Sequence, residues 1–203
     1  MTPMEQFRRE CTAFFDELST GEQRRLVFGE GPSEHPVLML IGEAPGEQEA
    51  LQGRPFVGKA GKNLDAFVQA VGLRREDIYI TNVVKVRPSK ISAAGRVVNR
   101  PPSREEKALF TPWLMKEIAL VKPDALVTLG NVALQAFLPD VIGNRHGRWS
   151  RAVIAPSQGE AFTLPLFSLY HPASIIYNQS LKTVYADDLE TLKMTFEHPE
   201  CIL

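Results

Sequence analysis

The spacing of hydrophobic positions along the chain changes repeatedly between two patterns. Apolar residues at helical spacing predict helices, and short continuous apolar runs predict buried strands. The predicted helices span Met4–Leu18, Lys62–Val71, Ser103–Leu120, Val132–Leu138 and Leu181–Phe196. The predicted strands span Val37–Ile41, Ile78–Val84, Ala125–Leu129, Arg151–Ala155 and Leu164–Tyr170. Strands therefore alternate with helices over most of the chain.

This alternation predicts an α/β fold in which a parallel sheet is covered by helices on both faces. The 203 residues suit a single domain over residues 1–203. In an open α/β sheet, ligands bind beyond the carboxyl ends of the strands. Four segments lie at or near the carboxyl ends of predicted strands: the GEAPG loop at 42–46, Thr81-Asn82, Gly130-Asn131 and the HPAS sequence at 171–174. We expect them to meet in space, where glycines let backbone N–H groups approach a ligand closely.

Composition adds few constraints. Hydrophobic residues make up 44% and charged residues 23% of the chain, as in ordinary globular proteins. No apolar run reaches the roughly 18 residues of a membrane span. The N-terminal segment contains Glu5 and Glu10 and no long apolar core, so we expect no secretory signal. Cys11 and Cys201 are too few for a disulfide framework or a four-cysteine metal site, and we predict a cytoplasmic protein without a membrane partner.

The charged residues are less evenly distributed than the net charge of −1 suggests. Residues 85–107 contain seven Lys or Arg and two Glu. A basic segment of this kind contacts nucleic-acid phosphates in some proteins and is an ordinary solvated loop in others. Charge alone does not decide between these two interpretations.

The polar residues that follow the strands do not match a common nucleotide motif. The GEAPG loop lacks both G-x-G-x-x-G and the lysine of a P-loop. Taken singly, Phe56 is typical of a core aromatic, Asn82 of a turn or cap residue, and His171 of a hydrogen-bonded structural histidine. Only their combination indicates a binding site.

In combination, these segments resemble the uracil-DNA glycosylase superfamily. The resemblance runs in order from about Val27 to Leu189, through GEAPGEQEALQGRPFVGKAG, ITNVVKVRP, NRPPSREE, PDALVTLGNVALQAF and LYHPAS. It is closest to the family-four enzymes, which usually carry an iron–sulfur cluster. The resemblance implies a three-layer α/β/α fold with a central, mainly parallel sheet, a monomeric state, and DNA containing uracil as the partner.

The resemblance also implies roles for individual residues. The backbone of Glu43 and Ala44 would line the uracil pocket and hold the hydrolytic water, and Glu49 would be the acidic group nearest to that water. Phe56 would stack on the base, Asn82 would read its edge, and His171 would face uracil O2. The residues expected to contact DNA are Ala173, Ser174, Arg87 and Arg100, with further phosphate contacts or merely solvated charges at Arg54, Lys59, Lys85 and Arg104.

Elementary chemistry supports these roles. A base inside a duplex must be rotated out before an enzyme can reach it. The Asn82 amide can donate to uracil O4 and accept from N3–H, whereas cytosine presents the opposite pattern and would leave buried groups unpaired. A donor from His171 would stabilise the negative charge on the departing uracil. Because Ala44 and not an aspartate occupies the third position of the loop, water activation rests on Glu49 or on electrostatics alone.

The chain departs from the family at the positions of the cluster cysteines. Val86 and Phe110 stand where the family has two of them, and the other two are expected close to Ala13 and Asp16, with Cys11 out of register. Iron–sulfur clusters are held by thiolates. We therefore predict no cofactor, with apolar side chains filling the space of the cluster.

Two further departures concern contact with DNA. Residues Ser89–Val98 form an insertion, which is either a DNA-contacting flap that carries Lys90 and Arg96 or an inert surface loop. After HPAS the family usually has an arginine, whereas this chain reads IIYN at 175–178. This second departure weakens the expected grip on DNA.

The sequence therefore predicts a glycosylase that removes uracil from DNA in base excision repair. Two alternatives stay open. One is a non-catalytic relative that binds a nucleobase or nucleic acid, and the other is a glycosylase for another deaminated base such as hypoxanthine or xanthine. Excision assays over a panel of substrates distinguish the three.

Overall fold

A computed structural model describes residues 1–18 and 25–197, so Cys201 lies outside the described residues. The helices are α1 Pro3–Leu18, α2 Glu47–Gln52, α3 Lys59–Ala70, α4 Arg104–Val121, α5 Asn131–Gln135, α6 Ile142–Arg145, α7 Pro172–Tyr177 and α8 Leu181–Glu197. The strands are β1 Leu38–Gly42, β2 Tyr79–Asn82, β3 Ser89–Ile91, β4 Val97–Asn99, β5 Ala125–Leu129, β6 Arg148–Ile154 and β7 Phe162–Leu169.

Five strands form one sheet in the order β2-β1-β5-β7-β6. Four of them are parallel, and β6 runs antiparallel to β7 at one edge. In the second half of β6, Ala152 and Ile154 are buried while Arg151 and Val153 are exposed, which is the pattern of a strand with one solvated face. The sheet is therefore mainly parallel, with one antiparallel edge strand.

Helices cover both faces of the sheet, because successive side chains of a strand point in opposite directions. Met39 and Ile41 of β1 belong to a core that includes residues of α1 and α4. Leu38 and Leu40 belong to a second core that includes residues of α3 and α8. The fold is thus a three-layer α/β/α arrangement, and the predicted fold class is confirmed.

The capping box predicted at Ser103 starts α4. The Ser103 hydroxyl accepts from the Glu106 backbone N–H at 3.1 Å, and the Glu106 carboxylate accepts from the Ser103 N–H at 2.8 Å. These two bonds satisfy donors that a helix N-terminus otherwise leaves unpaired. They fix where α4 begins, directly after the inserted segment.

Several short elements were not revealed by hydrophobic spacing. Helices α2 and α7 have six residues each, which is too short to show a helical period. The insertion forms a hairpin of β3 and β4, with Ser89 opposite Asn99 and Ile91 opposite Val97. It is a two-stranded sheet separate from the central one.

Lys85 is fully buried, so the phosphate contact considered for it is wrong. Its Nζ donates to the carboxylate of Glu117 on α4 at 2.5 Å, to Thr81 Oγ1 at 2.6 Å and to the Asn82 carbonyl at 2.7 Å. Glu117, also fully buried, accepts in addition from the Tyr79 hydroxyl at 3.0 Å. A buried charge persists only when it is paired in this way.

Candidate active site

A cavity of about 320 Å³ lies at the carboxyl ends of β1, β2 and β7. The residues predicted for base recognition meet there: its lining includes Ala44, Glu49, Phe56, Asn82, His171 and Ala173. A larger, open cleft of about 490 Å³ lies elsewhere, lined by arginines such as Arg54 and Arg74 that are paired with carboxylates. Because its charges neutralise one another, that cleft offers no convergent free polar groups of the kind that define a binding site.

Gly42, the last residue of β1, allows two of these side chains to come together. A Cβ atom at Gly42 would lie 2.4 Å from Asn82 Oδ1 and 2.5 Å from Phe56 Cζ. Both side chains therefore occupy space that any other residue would fill. The glycine at the end of β1 thus makes room for two side chains of the cavity, in addition to letting the backbone come close to a ligand.

Phe56 is held at the back of the cavity. It is 5% exposed, and its φ of 52° is unusual for a residue with a side chain. Its ring lies nearly parallel to the imidazole of His171, with centroids 6.0 Å apart and planes 27° apart. The Phe56 and His171 rings therefore form adjoining walls of the cavity, within the range of a direct ring–ring contact.

Asn82 ends β2 with its side chain in the cavity. The residue is 3% exposed, yet among the described residues its side-chain amide has no hydrogen-bond partner. Among the described residues, the fully enclosed unpaired side-chain atoms are Ser150 Oγ and Tyr185 Oη, so the Asn82 amide is open to the cavity, where a ligand can pair with it. The backbone of Asn82 is fixed instead, by parallel pairing with Gly42 and by the Lys85 bond to its carbonyl.

His171 is the N-cap of α7, and this role determines its tautomer. Its Nδ1 accepts from the Ala173 backbone N–H at 3.2 Å, so Nδ1 carries no proton and Nε2 is the donor. Burial lowers the pKa of His171 to about 4, which keeps the ring neutral near pH 7. A neutral Nε2–H donor thus belongs to the cavity wall.

Glu49 lines the cavity, but its carboxylate is largely engaged. Oε1 accepts from the backbone N–H groups of Val57 and Gly58 at 3.1 and 2.7 Å, and Oε2 accepts from Gly46 N–H at 3.1 Å. The side chain therefore ties the GEAPG loop to the turn that follows Phe56. A carboxylate has about four acceptor positions, which leaves one for a water.

Glu43 contributes a second carboxyl group that the sequence analysis did not consider, because only its backbone was assigned a role. It lines an adjoining cavity of about 200 Å³ together with Ala44, Asn99 and His171. Desolvation raises the pKa of Glu43, an effect that Lys107 partly offsets. The signal available in the sequence was its position two residues after the predicted strand Val37–Ile41.

Asn99 is a second residue that the sequence analysis missed. It ends β4 and lines both cavities. Its Oδ1 accepts from Arg87 Nε at 2.7 Å, which leaves its amide N–H groups toward the GEAPG loop. Its position inside the NRPPSREE segment, at the end of the insertion, was the available signal.

Of the four residues predicted to contact DNA, Ala173 lines this cavity and Arg100 lines the adjoining one. The Ser174 N–H donates to the His171 carbonyl at 2.8 Å within the turn that starts α7. Arg87 bonds Asn99 and also lies 3.3 Å from the carboxylate of Glu47. Arg100 forms a two-point ion pair with Glu106. Both arginines thus hold the base of the hairpin.

The positions expected to hold an iron–sulfur cluster do not fit one. Val86 and Phe110 are 6% and 2% exposed, and the Phe110 ring stacks on Phe15 with centroids 4.1 Å apart. Burial raises the pKa of Cys11 to about 12, so it is a protonated thiol and not a thiolate. Among the described residues, no three His, Cys, Asp or Glu side chains are grouped as metal ligands.

Comparison with known proteins identifies the family. The model of the Uracil DNA glycosylase superfamily matches residues 28–193. The match covers most of the chain, which therefore belongs to this superfamily.

The relatives it matches include type-4 uracil-DNA glycosylases. The protein of that name from Saccharolobus solfataricus is 34% identical over 178 residues, which cover 84% of this chain and 76% of the relative. The one from Thermotoga maritima is 33% identical over 194 residues, covering 91% of this chain and 88% of the relative. The crystal structure of SMUG2 from Pedobacter heparinus matches 97% of this chain and 84% of its own, with a TM-score of 0.52 and 18% identity, and supports the fold.

Within residues 1–18 and 25–197, no helix combines the length and the apolar character needed to cross a membrane.

Proposed function

We propose that this protein is a uracil-DNA glycosylase, which hydrolyses the bond between uracil and deoxyribose in DNA. The observation that carries the proposal is the unpaired amide of Asn82 at 3% exposure, in a cavity shared with the Phe56 ring and the His171 imidazole. An amide offers one donor and one acceptor side by side, which matches O4 and N3–H of uracil. The relatives named uracil-DNA glycosylases support the same reaction.

The cavity can take a base only after the base has left the duplex. Phe56 offers an aromatic face for stacking, worth about 1–3 kcal/mol and indifferent to base identity. Selectivity for uracil over cytosine then rests on Asn82. The amino group of cytosine would face the NH₂ of the amide, and its unprotonated N3 would face the amide oxygen. Each group left unpaired in this way would weaken binding by about 1–3 kcal/mol.

Breaking the glycosidic bond leaves negative charge on uracil and positive charge on the sugar. His171 Nε2–H is suited to stabilise the charge on O2, because the bond from Ala173 to Nδ1 holds the ring in the donating tautomer. A preorganised donor of this kind is worth about 3–4 kcal/mol of barrier. Water adds to the sugar carbon as the bond to uracil breaks, leaves a hydroxyl group there, and gives up one proton, which neutralises the departing uracil anion directly or through solvent.

The carboxylate of Glu49 is our candidate for orienting that water, through the one acceptor position that its three backbone bonds leave open. Its negative charge also favours positive charge on the nearby sugar. Glu43, with its raised pKa and its place beside His171, is the second candidate for proton transfer in this site.

We further propose that the reaction needs no iron–sulfur cluster, since the buried side chains of Val86 and Phe110 stand where two cluster cysteines were expected and Phe110 stacks on Phe15. The test is the iron content and visible absorption of the purified protein. Stoichiometric iron with a brown colour would contradict it. A monomeric state and a cytoplasmic location also remain predictions, to be checked by light scattering and by fractionation.

The function itself is tested with oligonucleotides that carry one uracil, in single-stranded and duplex form, and alkaline cleavage of the abasic product. We expect excision from uracil DNA and none from matched cytosine or thymine DNA. Hypoxanthine and xanthine substrates complete the panel and test the alternative base preference. Binding without excision by enzyme in excess over substrate would overturn the proposal and favour a non-catalytic relative.

A further inference from the structure

The hairpin of β3 and β4 projects from the rim of the cavity. Its strands bond to each other and not to the central sheet. Its tip is closed by the Ser92 N–H, which donates to the Arg96 carbonyl at 2.8 Å, and by the Gly95 N–H, which donates to the Ser92 carbonyl at 2.9 Å. Gly95 has a φ of 73°, as this turn requires. The insertion is thus a defined structure and not an irregular loop.

One face of the hairpin is continuous with the candidate active site. Side chains alternate along a strand, so Ser89 and Ile91 share a face with their partners Asn99 and Val97. Asn99 on that face lines the cavity. Val97 lies two residues away, or roughly 7 Å along the strand.

The same face carries an exposed apolar pair. Ile91 is 75% exposed and Val97 is 56% exposed, and the two lie directly across from each other. Isolated exposed apolar residues are common on proteins, but a paired set on a two-stranded hairpin has no core to bury it.

The base of the hairpin is bonded to the central fold. Arg100 Nε donates to the Ser89 carbonyl at 3.1 Å, and Arg100 also pairs with Glu106 in the capping box of α4. Arg87 holds Asn99 from the other side. Because these bonds join the hairpin to the central fold, they fix the position of Ile91 and Val97 relative to the cavity.

Charge identifies the partner of this surface. No Asp or Glu occurs between residues 78 and 104, and Lys90 and Arg96 on the hairpin are exposed. Within the described chain, neither of these two cations has an ion-pair partner. Lys90 is paired with Val98, so its side chain lies on the face of the hairpin opposite to Ile91 and Val97. A hairpin with an apolar pair on one face and unpaired cations on its other side and at its tip, at the rim of a cavity for an extruded base, fits DNA better than an acidic or apolar protein surface.

We propose that Ile91 and Val97 form a wedge against the DNA next to the extruded nucleotide, with Lys90 and Arg96 on the flanking phosphates. This inference rests on the proposed function, because the nucleotides on either side of an extruded base lie at the rim of the cavity. Apolar side chains that press on base steps help to unstack them. The wedge is needed for a duplex and not for a single strand, in which the base is already unpaired.

The test compares Ile91→Ser/Val97→Ser with the control Val153→Ser, which changes a 60% exposed valine on β6, at the opposite edge of the sheet. Excision is measured at enzyme excess on the same uracil oligonucleotide, single-stranded and in duplex. We expect the double variant to lose about 10-fold or more on duplex and less than about threefold on the single strand. The control should match the wild type on both. Equal losses on both substrates, or none, would overturn the wedge.

The charged part is tested with Lys90→Ala/Arg96→Ala and duplex binding at several salt concentrations. The plot of log affinity against log salt should become less steep, its negative slope shrinking in magnitude by about one to two, since each lost phosphate contact removes roughly one. An unchanged slope would contradict the phosphate contacts. Ile91→Thr/Val97→Thr keeps β-branching and replaces the serine variant if the latter unfolds.

The two proposals fail in different ways. If the wild type excises uracil and the wedge variants equal it on duplex, the wedge is wrong and the function stands. If the wild type excises nothing, duplex binding by fluorescence anisotropy decides the wedge alone. In that case weaker binding by the double variant supports the wedge and unchanged binding overturns it.

Discussion

At the scale of single residues, selectivity and charge stabilisation are assigned to different groups. Asn82 offers an unpaired amide, and His171 offers a single N–H from a neutral ring. Both were predicted from the sequence because they lie at strand ends in an α/β fold and match a known family, and the structure brings both to one cavity. Asn99 was not predicted, although it opens the NRPPSREE segment, because hydrophobic spacing does not reveal the three-residue strand β4 that brings it to the cavity.

Asn82→Ala should lower kcat/KM for uracil DNA by about 100-fold, because it removes both hydrogen bonds to the base edge. Asn82→Asp should narrow the ratio of uracil to cytosine excision, since a carboxyl group no longer presents an amide donor at that position. Single-turnover assays on matched oligonucleotides give both numbers. Asn144→Ala changes an exposed asparagine on α6 and serves as the control. An unchanged ratio in Asn82→Asp would remove Asn82 from base reading.

His171 should titrate at about pH 4, well below the ordinary value of about 6.5 for histidine. The unfolded chain takes up a proton at this residue as pH falls below about 6.5, while the folded chain does not until about 4. Its contribution to the free energy of unfolding is therefore complete above about pH 6.5 and is lost between those two values. NMR titration of the imidazole signals, with His171→Asn to assign them, measures this. Titration near the ordinary value would show that the ring is solvated.

At the scale of elements, the buried strands were predicted from the sequence more accurately than the exposed ones. The strand predicted at Ala125–Leu129 has the observed bounds, because an apolar run flanked by Pro123 and Gly130 leaves little choice. The hairpin could not be predicted, since its strands are three residues long and mostly exposed. Lys85 was misplaced because its partner Glu117 is 32 residues away along the chain. Charge in a sequence does not say which side chains will be buried.

Glu49 ties the GEAPG loop to the turn that follows Phe56, so Glu49→Gln should affect both stability and activity. The NH₂ group of the glutamine would face at least one of the three backbone N–H donors and could not accept from it. We expect this to lower the free energy of unfolding by about 1–3 kcal/mol. If Glu49 also orients water, excision should fall by about 100-fold or more. Urea unfolding and single-turnover excision measure the two effects, with Glu43→Gln as the comparison. If the variant loses stability but keeps full activity, Glu49 only holds the two loops together, and Glu43 becomes the candidate for activating the water.

At the scale of the whole molecule, one buried ion pair connects the active-site strand to the covering helix layer. Lys85 bonds Asn82 and Glu117 together, so β2 and α4 cannot separate without exposing or unpairing a charge. On the same side of the sheet, Phe15 of α1 stacks on Phe110 of α4. Packing of this kind shows only in three dimensions, although the apolar residues at 86 and 110 indicated it.

Lys85→Met should therefore destabilise the fold by about 3–5 kcal/mol, because it leaves Glu117 charged and unpaired in the interior. The double change Lys85→Met/Glu117→Leu should recover most of that loss, since neither charge remains to be compensated. Chemical denaturation of the wild type and the variants, including Glu117→Leu alone, completes the cycle. Additive losses in the double variant would mean that the two side chains act independently.

The sheet order also has a consequence for how the protein is made. β7 lies inside the sheet, and β6, although synthesised earlier, pairs only with β7. His171 follows β7 directly. A nascent chain that ends at residue 160 therefore lacks β7 and His171. Its β5 has an unpaired edge, its β6 has no partner strand, and its cavity lacks the wall that His171 forms. The proposed base pocket cannot be complete before synthesis has passed His171, so products that end before β7 should be inactive and prone to associate through the open edge of β5.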